Sequence, residues 1–214
     1  MFKSKHFWIQ IVLIMLMFGA GWYFYDRLPE VITIHRNING IADGFQNKSF
    51  LTAFLIPIIT LVILVAMKVI PCFDPRKEKY QQFQSTYEII QTVILAIFAY
   101  FYGVSILLNL DPSWSITSFA LFGIWMMLVC IGNYLPKVKR NYFVGIKTPW
   151  TLHDEENWNK THRLWGICYF LLGISLIINA YFQFLLVGHL ILMFVVLIFP
   201  MLYSYWFSVQ KKRK

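Results

Sequence analysis

The stretch Gly132–Arg163 reads GNYLPKVKRNYFVGIKTPWTLHDEENWNKTHR, and the interpretation of the whole chain depends on it. It is hydrophilic, whereas the residues on both sides form long apolar runs. It holds six of the nineteen Lys and Arg residues, two of the eight Trp and two of the five His. A polar stretch of this kind between apolar runs is predicted to be an ordered element at a membrane surface.

The composition indicates an integral membrane protein. Of the 214 residues, 58% are hydrophobic and 14% are charged, whereas a soluble domain is usually about 45–50% apolar and about 25% charged. The apolar residues come in runs long enough to span a bilayer, which takes about 20 residues. The net charge of +9 then reflects topology and contact with membrane lipids, and no direct nucleic-acid partner is expected.

The apolar runs predict an all-α protein with six transmembrane helices. Positively charged loops stay in the cytoplasm. With six crossings, one side carries sixteen Lys and Arg and the other carries three, so both termini are predicted to be cytoplasmic. Residues 1–70 would form a first helical pair with an outer cap (26–49), and residues 71–214 a four-helix part with a central cytoplasmic segment (132–163). The predicted spans are about 7–25, 50–70, 87–108, 118–135, 164–182 and 184–206.

The polar stretch 26–49 is predicted to be a small extracellular hairpin-like cap. Val31–His35 alternates between apolar and polar residues, which is typical of a short strand. Gly40 and Gly44 stand in dipeptides that favour turns.

Two helix starts are predicted outside the apolar runs. Thr151 followed three residues later by Asp154 resembles a capping box with Thr151 as the N-cap. This predicts a short amphipathic helix over Leu152–Arg163, either separate from the fifth span or running straight into it. On it Trp158 and His162 would share a face, because they are four residues apart.

Asp74 followed by proline predicts a second helix start. That helix would continue without a break into the third span. Near its cytoplasmic end, Glu88 and Gln91 are candidate polar residues inside the membrane, where such groups are often functional. Glu88 would pair with a cation such as Lys137 or Arg163, or be solvated at the interface.

No metal or cofactor site is predicted. The outer set of His35, Asn37 and Asp43 and the inner set of His153, Glu155 and His162 contain potential zinc ligands. However, no HExxH motif is present, and the two inner His are nine residues apart, on different faces of one helix. The three Cys residues have no spacing typical of a disulfide framework or a metal site.

The central stretch resembles the signature of the SdpI immunity-protein family. The outer stretch, with Leu28-Pro29, Ile34-His35, Asn37, Asn39-Gly40 and Asp43, is similar to the short domain at the start of these proteins. Asp74-Pro75-Arg76 and Tyr87-Glu88-Ile89-Ile90-Gln91 also resemble the family. Two positions depart from the family, which usually has an aromatic residue at Arg36 and often proline at Arg140. The matching central residues are Gly132-Asn133-Tyr134, Pro136-Lys137, Asn141, Phe143, Gly145-Ile146, Thr148-Pro149-Trp150-Thr151-Leu152, Trp158 and Thr161-His162-Arg163.

This resemblance implies a multi-pass protein of the bacterial plasma membrane without enzymatic activity. The founding member protects a toxin producer from its own secreted antimicrobial peptide. It also holds a cytosolic autorepressor protein at the membrane when toxin is present. The implied site residues are Pro29, His35, Asn37, Gly40 and Asp43 in the extracellular cap, Glu88 and Gln91 within the membrane, and Asn133, Pro136, Asn141, Gly145, Thr148, Pro149, Trp150, Thr151, Trp158, His162 and Arg163 in the central cytoplasmic motif.

Two other function classes stay open at this point. A transporter or membrane enzyme acting on a small solute, lipid or peptide would use the same polar residues at the cytoplasmic face. A cavity that connects Glu88, Gln91, Asn133 and His162 would favour that class. A structural membrane subunit would tolerate substitution of all of these residues.

Overall fold

A computed structural model of the chain describes residues 4–37, 40–114, 116–182 and 186–213. The described part is mainly helical, with one two-stranded antiparallel sheet. The helices are α1 (Lys5–Phe24), α2 (Phe50–Val69), α3 (Gln84–Leu110), α4 (Ile116–Tyr134), α5 (Pro149–His153), α6 (Glu155–Phe182) and α7 (Leu186–Lys212). The strands are β1 (Val31–Arg36) and β2 (Ala42–Asn47), and short 3-10 helices cover Tyr25–Arg27, Ile70–Phe73, Lys77–Phe83 and Leu135–Lys137.

The long helices have the length and surface of membrane helices. Leu16, Val62 and Phe194 are each more than half exposed, and exposed apolar side chains in such number suit lipid rather than water. The prediction of an integral membrane protein built mainly of α-helices is therefore confirmed. The predicted span 118–135 overlaps α4. The boundary predicted between the last two spans, between residues 182 and 184, falls at the stretch 183–185, which lies outside the described residues. Five described stretches are long and apolar enough to cross a bilayer: Lys5–Arg27, Phe50–Phe73, Lys77–Leu110, Glu155–Asn179 and Ile191–Lys212.

Packing divides the described residues into two compact units that do not follow chain order. The first draws on Met1–Ala66 and Gln91–Gly123, and the second on Met67–Ile90 and Ile124–Lys214. The division into segments 1–70 and 71–214 stays a prediction.

In the first unit, helix α1 packs against α2 and α3 through buried aliphatic side chains. Ile14, Leu64 and Leu95 form one cluster, and Leu95 is fully buried. The Tyr102 hydroxyl donates a hydrogen bond to the Ala53 carbonyl at 3.0 Å. This bond ties α3 to α2 and satisfies a polar group that would otherwise be costly within a bilayer.

The two strands of the first unit confirm the hairpin predicted from the alternating pattern. β1 pairs antiparallel with β2, with an irregularity in register after Thr33. Gly40 lies in the connection with φ of 79°, a left-handed conformation that glycine adopts without strain. The Asn109 side chain on α3 accepts from the Thr33 amide at 2.8 Å and donates to its carbonyl at 3.2 Å. The hairpin is thus fixed to α3 by a pair of hydrogen bonds.

In the second unit, α4 and α6 approach closely where glycines face each other. A Cβ atom on Gly132 would lie 2.8 Å from the Gly166 carbonyl oxygen, and one on Gly166 would lie 2.6 Å from the Gly132 carbonyl oxygen. Small residues that let backbones meet are a common basis of helix packing in membranes. The crossing holds together the two ends of the central stretch.

The structure corrects the predicted helix start at Asp74. A 3-10 helix over Lys77–Phe83 precedes α3, so there is no continuous α-helix from Asp74 onward, and Arg76 is the residue at its N-cap position. The Asp74 carboxylate accepts from the Arg76 amide at 2.7 Å. Its other oxygen accepts from the Tyr80 hydroxyl at 3.0 Å and the Tyr142 amide at 2.9 Å. These contacts keep Asp74 in a turn.

Candidate functional site

The central stretch begins its helical part three residues earlier than predicted. Thr148 is the N-cap of α5, and its hydroxyl accepts from the Thr151 amide at 3.2 Å. In return, the Thr151 hydroxyl accepts from the Thr148 amide at 3.0 Å. The prediction of Thr151 as the N-cap is therefore wrong, because Pro149 occupies the first helical position, which its fixed φ favours.

The predicted single helix over Leu152–Arg163 is also wrong. Helix α5 ends at His153, and Asp154 has extended backbone angles. The Asp154 carboxylate accepts from the Glu156 amide at 2.9 Å, so it caps the new helix α6. Helix α6 then continues into the apolar run that was predicted as the fifth span.

The face shared by Trp158 and His162 is confirmed, and it is fully buried. Their rings stack with centroids 4.0 Å apart. The Ile146 amide donates to His162 Nε2 at 3.0 Å, so that nitrogen carries no proton. The protonated Nδ1 therefore donates to the Trp158 carbonyl at 2.8 Å. The imidazole is neutral and both of its nitrogens are bonded to backbone groups.

Gly145 is the residue that lets the chain reach His162. Its φ is 113°, in a region that favours glycine. A Cβ atom there would overlap His162 Nε2. The glycine in the signature is therefore required both by backbone conformation and by the space that the imidazole occupies.

Asn141 organises the loop before Gly145. It is fully buried, and its amide nitrogen donates to the Lys139 carbonyl at 2.8 Å and the Val144 carbonyl at 3.1 Å. Its oxygen accepts from the Phe143 and Val144 amides at 2.8 and 2.7 Å. The side chain thus supplies the hydrogen bonds that this irregular backbone lacks.

Helix α7 is attached to the site by further buried polar contacts. Asn157 Nδ2 donates to the Ser204 carbonyl at 2.8 Å. The Thr148 hydroxyl shares a hydrogen bond with the Ser204 hydroxyl at 3.0 Å. The indole of Trp158 donates to the Val138 carbonyl at 2.8 Å. Hydrogen bonds thus connect Thr148, Asn157, Trp158 and Ser204 with Ile146, Thr151 and His162. These residues, with Asn141 and Gly145 in the adjoining loop, are called here the polar cluster.

Charged residues surround the polar cluster at the junction of α5 and α6. Lys211 Nζ lies 2.7 Å from Asp154 Oδ2 and 2.9 Å from Glu156 Oε2, and Lys79 Nζ lies 2.9 Å from Glu155 Oε2. Burial would raise the pKa of Asp154, but the hydrogen bonds from Lys211 and the Glu156 amide outweigh it, so the pKa is lowered. The Asp154 carboxylate is therefore charged at neutral pH.

Two arginines bind the last carbonyls of α5, where they complement the helix dipole. Arg76 Nη2 donates to the Leu152 carbonyl at 2.9 Å, and Arg140 Nη1 donates to the His153 carbonyl at 2.8 Å. The arginine that departs from the family pattern thus closes the end of this short helix.

Not all signature residues belong to the polar cluster. Asn133, Pro136, Pro149 and Arg163 are exposed, and Trp150 is half-buried against Tyr205 with ring centroids 4.9 Å apart. These residues do not hold the cluster together, so their side chains can contact partners.

The candidate residues of the hairpin lie at its surface. Pro29 is exposed, and the His35 Nδ1 atom lies 2.5 Å from the exposed carboxylate of Asp43. The Asn37 side chain accepts from the Ile41 amide at 3.1 Å, which closes the connection between the strands near Gly40. Of these candidate residues, only His35 and Asp43 present exposed polar side chains to a ligand.

Glu88 and Gln91 differ in environment. Gln91 is buried in the first unit and accepts from Gln10 Nε2 at 3.5 Å. Glu88 is half-buried in the second unit, accepts from Gln84 at 3.1 Å, and has Lys68 as a nearby cation. Among the described residues, no group of three or more His, Cys, Asp or Glu side chains could hold a metal ion.

Comparison with known proteins covers most of the chain. The model of the SdpI/YfhL protein family matches residues 137–204, and the model of a domain of unknown function, DUF1648, matches residues 12–61. The Immunity protein SdpI of Bacillus subtilis (strain 168) is 25% identical over 200 residues, which are 92% of this chain and 93% of that protein. Over residues 137–204 the chain is thus similar to the SdpI/YfhL family. No solved structure matches it.

The range matched by the SdpI/YfhL family model contains the whole polar cluster. It extends to Ser204, the residue on α7 that contacts both Thr148 and Asn157. Sequence reasoning missed Ser204, Asn157 and Tyr80. Asn157 and Thr161 are polar residues four apart on one helix face, which was a usable signal, whereas a lone serine in an apolar run gave none.

Proposed function

We propose that this chain is a six-helix immunity protein of the bacterial plasma membrane that protects its cell from a secreted antimicrobial peptide. The observation that carries this proposal is the likeness to the Bacillus subtilis immunity protein over 92% of the chain, which is too extensive to omit either the hairpin or the polar cluster. In this proposal α4 is the fourth span, the hairpin is extracellular, and both termini are cytoplasmic.

The distribution of positive charge supports this orientation. Sixteen Lys and Arg residues fall on the proposed cytoplasmic side and three on the other, in line with the tendency of basic loops to stay inside. A reporter fused after Lys214 is expected to be active only in the cytoplasm. Activity only outside the cell would contradict the orientation.

The hairpin is the proposed contact for the peptide. Val31, Ile34, Ile41 and Phe45 are each more than half exposed, although the hairpin lies outside the apolar helices. Exposed apolar groups of this kind commonly mark interaction sites. A membrane-active peptide would cover them with its own apolar face.

Immunity is tested by expressing the chain in a Bacillus strain sensitive to the peptide that the founding member neutralises. The wild type is expected to prevent killing, and unchanged killing would remove the proposal. Phe45→Ser is expected to reduce protection. Phe73→Ser is the matched control, because Phe73 is also strongly exposed but lies in the second unit.

The surface of the polar cluster is the proposed contact for a cytosolic autorepressor. A cleft of about 780 Å³ is lined by residues that include Trp150, His153 and Lys212. Aromatic and charged groups around one cleft suit recognition of a folded protein. Toxin would regulate this contact only by binding one arrangement of the helices better than another.

Repressor binding is tested with the autorepressor of the founding member as the probe. Membranes that contain the chain are expected to retain it in the presence of toxin. Lys212→Glu should weaken retention, whereas Lys77→Glu, an exposed charge reversal outside the cleft, should not. Equal retention by membranes with and without the chain would remove this half of the proposal and leave immunity unaffected.

The chemistry of the polar cluster supports a role without catalysis. His162 is fully buried and both of its nitrogens bind backbone groups, so it could exchange a proton only by breaking the loop that it supports. Asn133 is exposed instead, so these two residues do not line one polar cavity. No specific observation favours the transporter or enzyme alternative.

A further inference from the structure

Three exposed residues of the signature converge on one groove between α4 and α6. Asn133, Pro136 and Arg163 line a cavity of about 470 Å³, together with apolar residues of α6. Gly132 and Gly166, where the two helices approach closely, also line it. These signature residues take no part in the polar cluster, so their presence calls for another explanation.

The groove has a polar end and an apolar end. Arg163 is the last charged residue before the apolar run of α6. Ile167, Phe170 and Leu171 follow at four, seven and eight residues and line the same groove. From Arg163 to Leu171 the helix rises by about 12 Å, which is comparable with the upper part of an acyl chain.

The charge in this groove is not neutralised. Within the described ranges, Arg163 forms no ion pair or hydrogen bond, and no carboxylate lines the cavity. The cleft around Trp150 differs, because Asp154 and Glu155 lie among its cations. An exposed guanidinium at the cytoplasmic end of a membrane helix attracts anionic lipid headgroups, and it binds phosphate oxygens well.

We propose that this groove binds an anionic phospholipid of the inner leaflet. The phosphate contacts Arg163 and the Asn133 amide, and an acyl chain lies over Ile167, Phe170 and Leu171. The site goes beyond immunity and rests only on the proposed orientation of α6.

The test is native mass spectrometry of the full-length protein in detergent, with dioleoylphosphatidylglycerol or dioleoylphosphatidylcholine added. The wild type is expected to bind the phosphatidylglycerol more tightly. Arg163→Gln should lower that affinity about fivefold, the effect expected of one cation at the surface. Lys147→Gln is the control, because it removes the same charge from an exposed residue that does not line the groove.

A second variant separates lipid from free phosphate. Ile167→Trp fills the apolar end, keeps the charge, and is expected to lower phosphatidylglycerol binding as well. Unchanged binding in this variant would mean that only the headgroup phosphate is recognised and would overturn the lipid site. Equal losses in Arg163→Gln and Lys147→Gln would also overturn it, since they would indicate non-specific attraction. Neither result depends on whether the chain confers immunity.

Discussion

Replacing Gly145 with alanine is expected to destabilise the protein through two separable effects. Gly145 has φ of 113°, and a non-glycine residue held in such a region costs about 1–3 kcal/mol. The added methyl group would also displace the His162 ring from the Ile146 amide. A buried amide left without its acceptor costs about 1–3 kcal/mol. The total is about 4 kcal/mol.

The measurement is unfolding by sodium dodecyl sulfate in mixed micelles, followed by tryptophan fluorescence. Gly103→Ala is the matched control, because Gly103 is exposed on α3 and nothing lies within 4 Å of an added Cβ atom. That control is expected to leave the free energy of unfolding unchanged or slightly higher.

A double-mutant cycle separates the two effects. In a His162→Ala background the overlap is absent, so Gly145→Ala should cost only the backbone strain. The coupling energy between the two positions is therefore expected to be about 2 kcal/mol, because they are in direct contact. If Gly145→Ala were no worse than Gly103→Ala, or if the two changes were additive, the assignment of Gly145 to the imidazole would be refuted.

Three further predictions concern the polar cluster and its charged surroundings, and use the same unfolding assay. Thr151→Val keeps the shape of the side chain but leaves the Thr148 amide without its acceptor, so a loss of about 2 kcal/mol is expected. Trp158→Phe keeps an aromatic ring but loses the indole hydrogen bond at 2.8 Å, and a similar loss of about 2 kcal/mol is expected. Asp154 has a lowered pKa in the folded state, so its charged form contributes stability above the ordinary value of 3.8 that is lost as pH falls through the folded pKa. Asp154→Asn should therefore lose less stability than the wild type between pH 7 and pH 3, and an equal loss would contradict the ion pair with Lys211.

The positions of the helices could be predicted from the sequence because the bilayer requires long apolar runs. The hairpin could be predicted from its alternation and its glycines. The N-cap of α5 could also have been predicted from the sequence. Thr148 and Thr151 can each begin a capping box, and Pro149 favours Thr148, because proline suits the first helical position. The prediction of Thr151 failed because Pro149 favours extended backbone only at Thr148, the residue before it, and itself occupies the first helical position.

The contacts within the polar cluster and around it could not be predicted in the same way. Asp74 and Tyr142 are 68 residues apart and meet through one hydrogen bond. The dipeptide Asp74-Pro75 is equally typical of a turn and of a helix start, and only the distant amide decides between them. Likewise, the pattern of Trp158 and His162 indicates a shared face but does not tell whether that face meets lipid, water or protein.

The burial of the polar signature residues in the cluster determines how these residues can be tested. Asn141, Thr151, Trp158 and His162 are fully buried, and their polar atoms bind groups within the chain. We therefore expect substitutions at these positions to reduce immunity and repressor binding together, in proportion to the loss of folded protein. Substitutions at exposed positions such as Phe45 should instead reduce immunity, and the retention of repressor that depends on toxin, without any loss of folded protein. Both expectations are checked by measuring the amount of protein in the membrane and its unfolding free energy beside each activity. A His162→Ala variant with wild-type abundance and stability but without immunity would show that the imidazole contacts a partner, and would contradict the structural role derived from its two backbone hydrogen bonds.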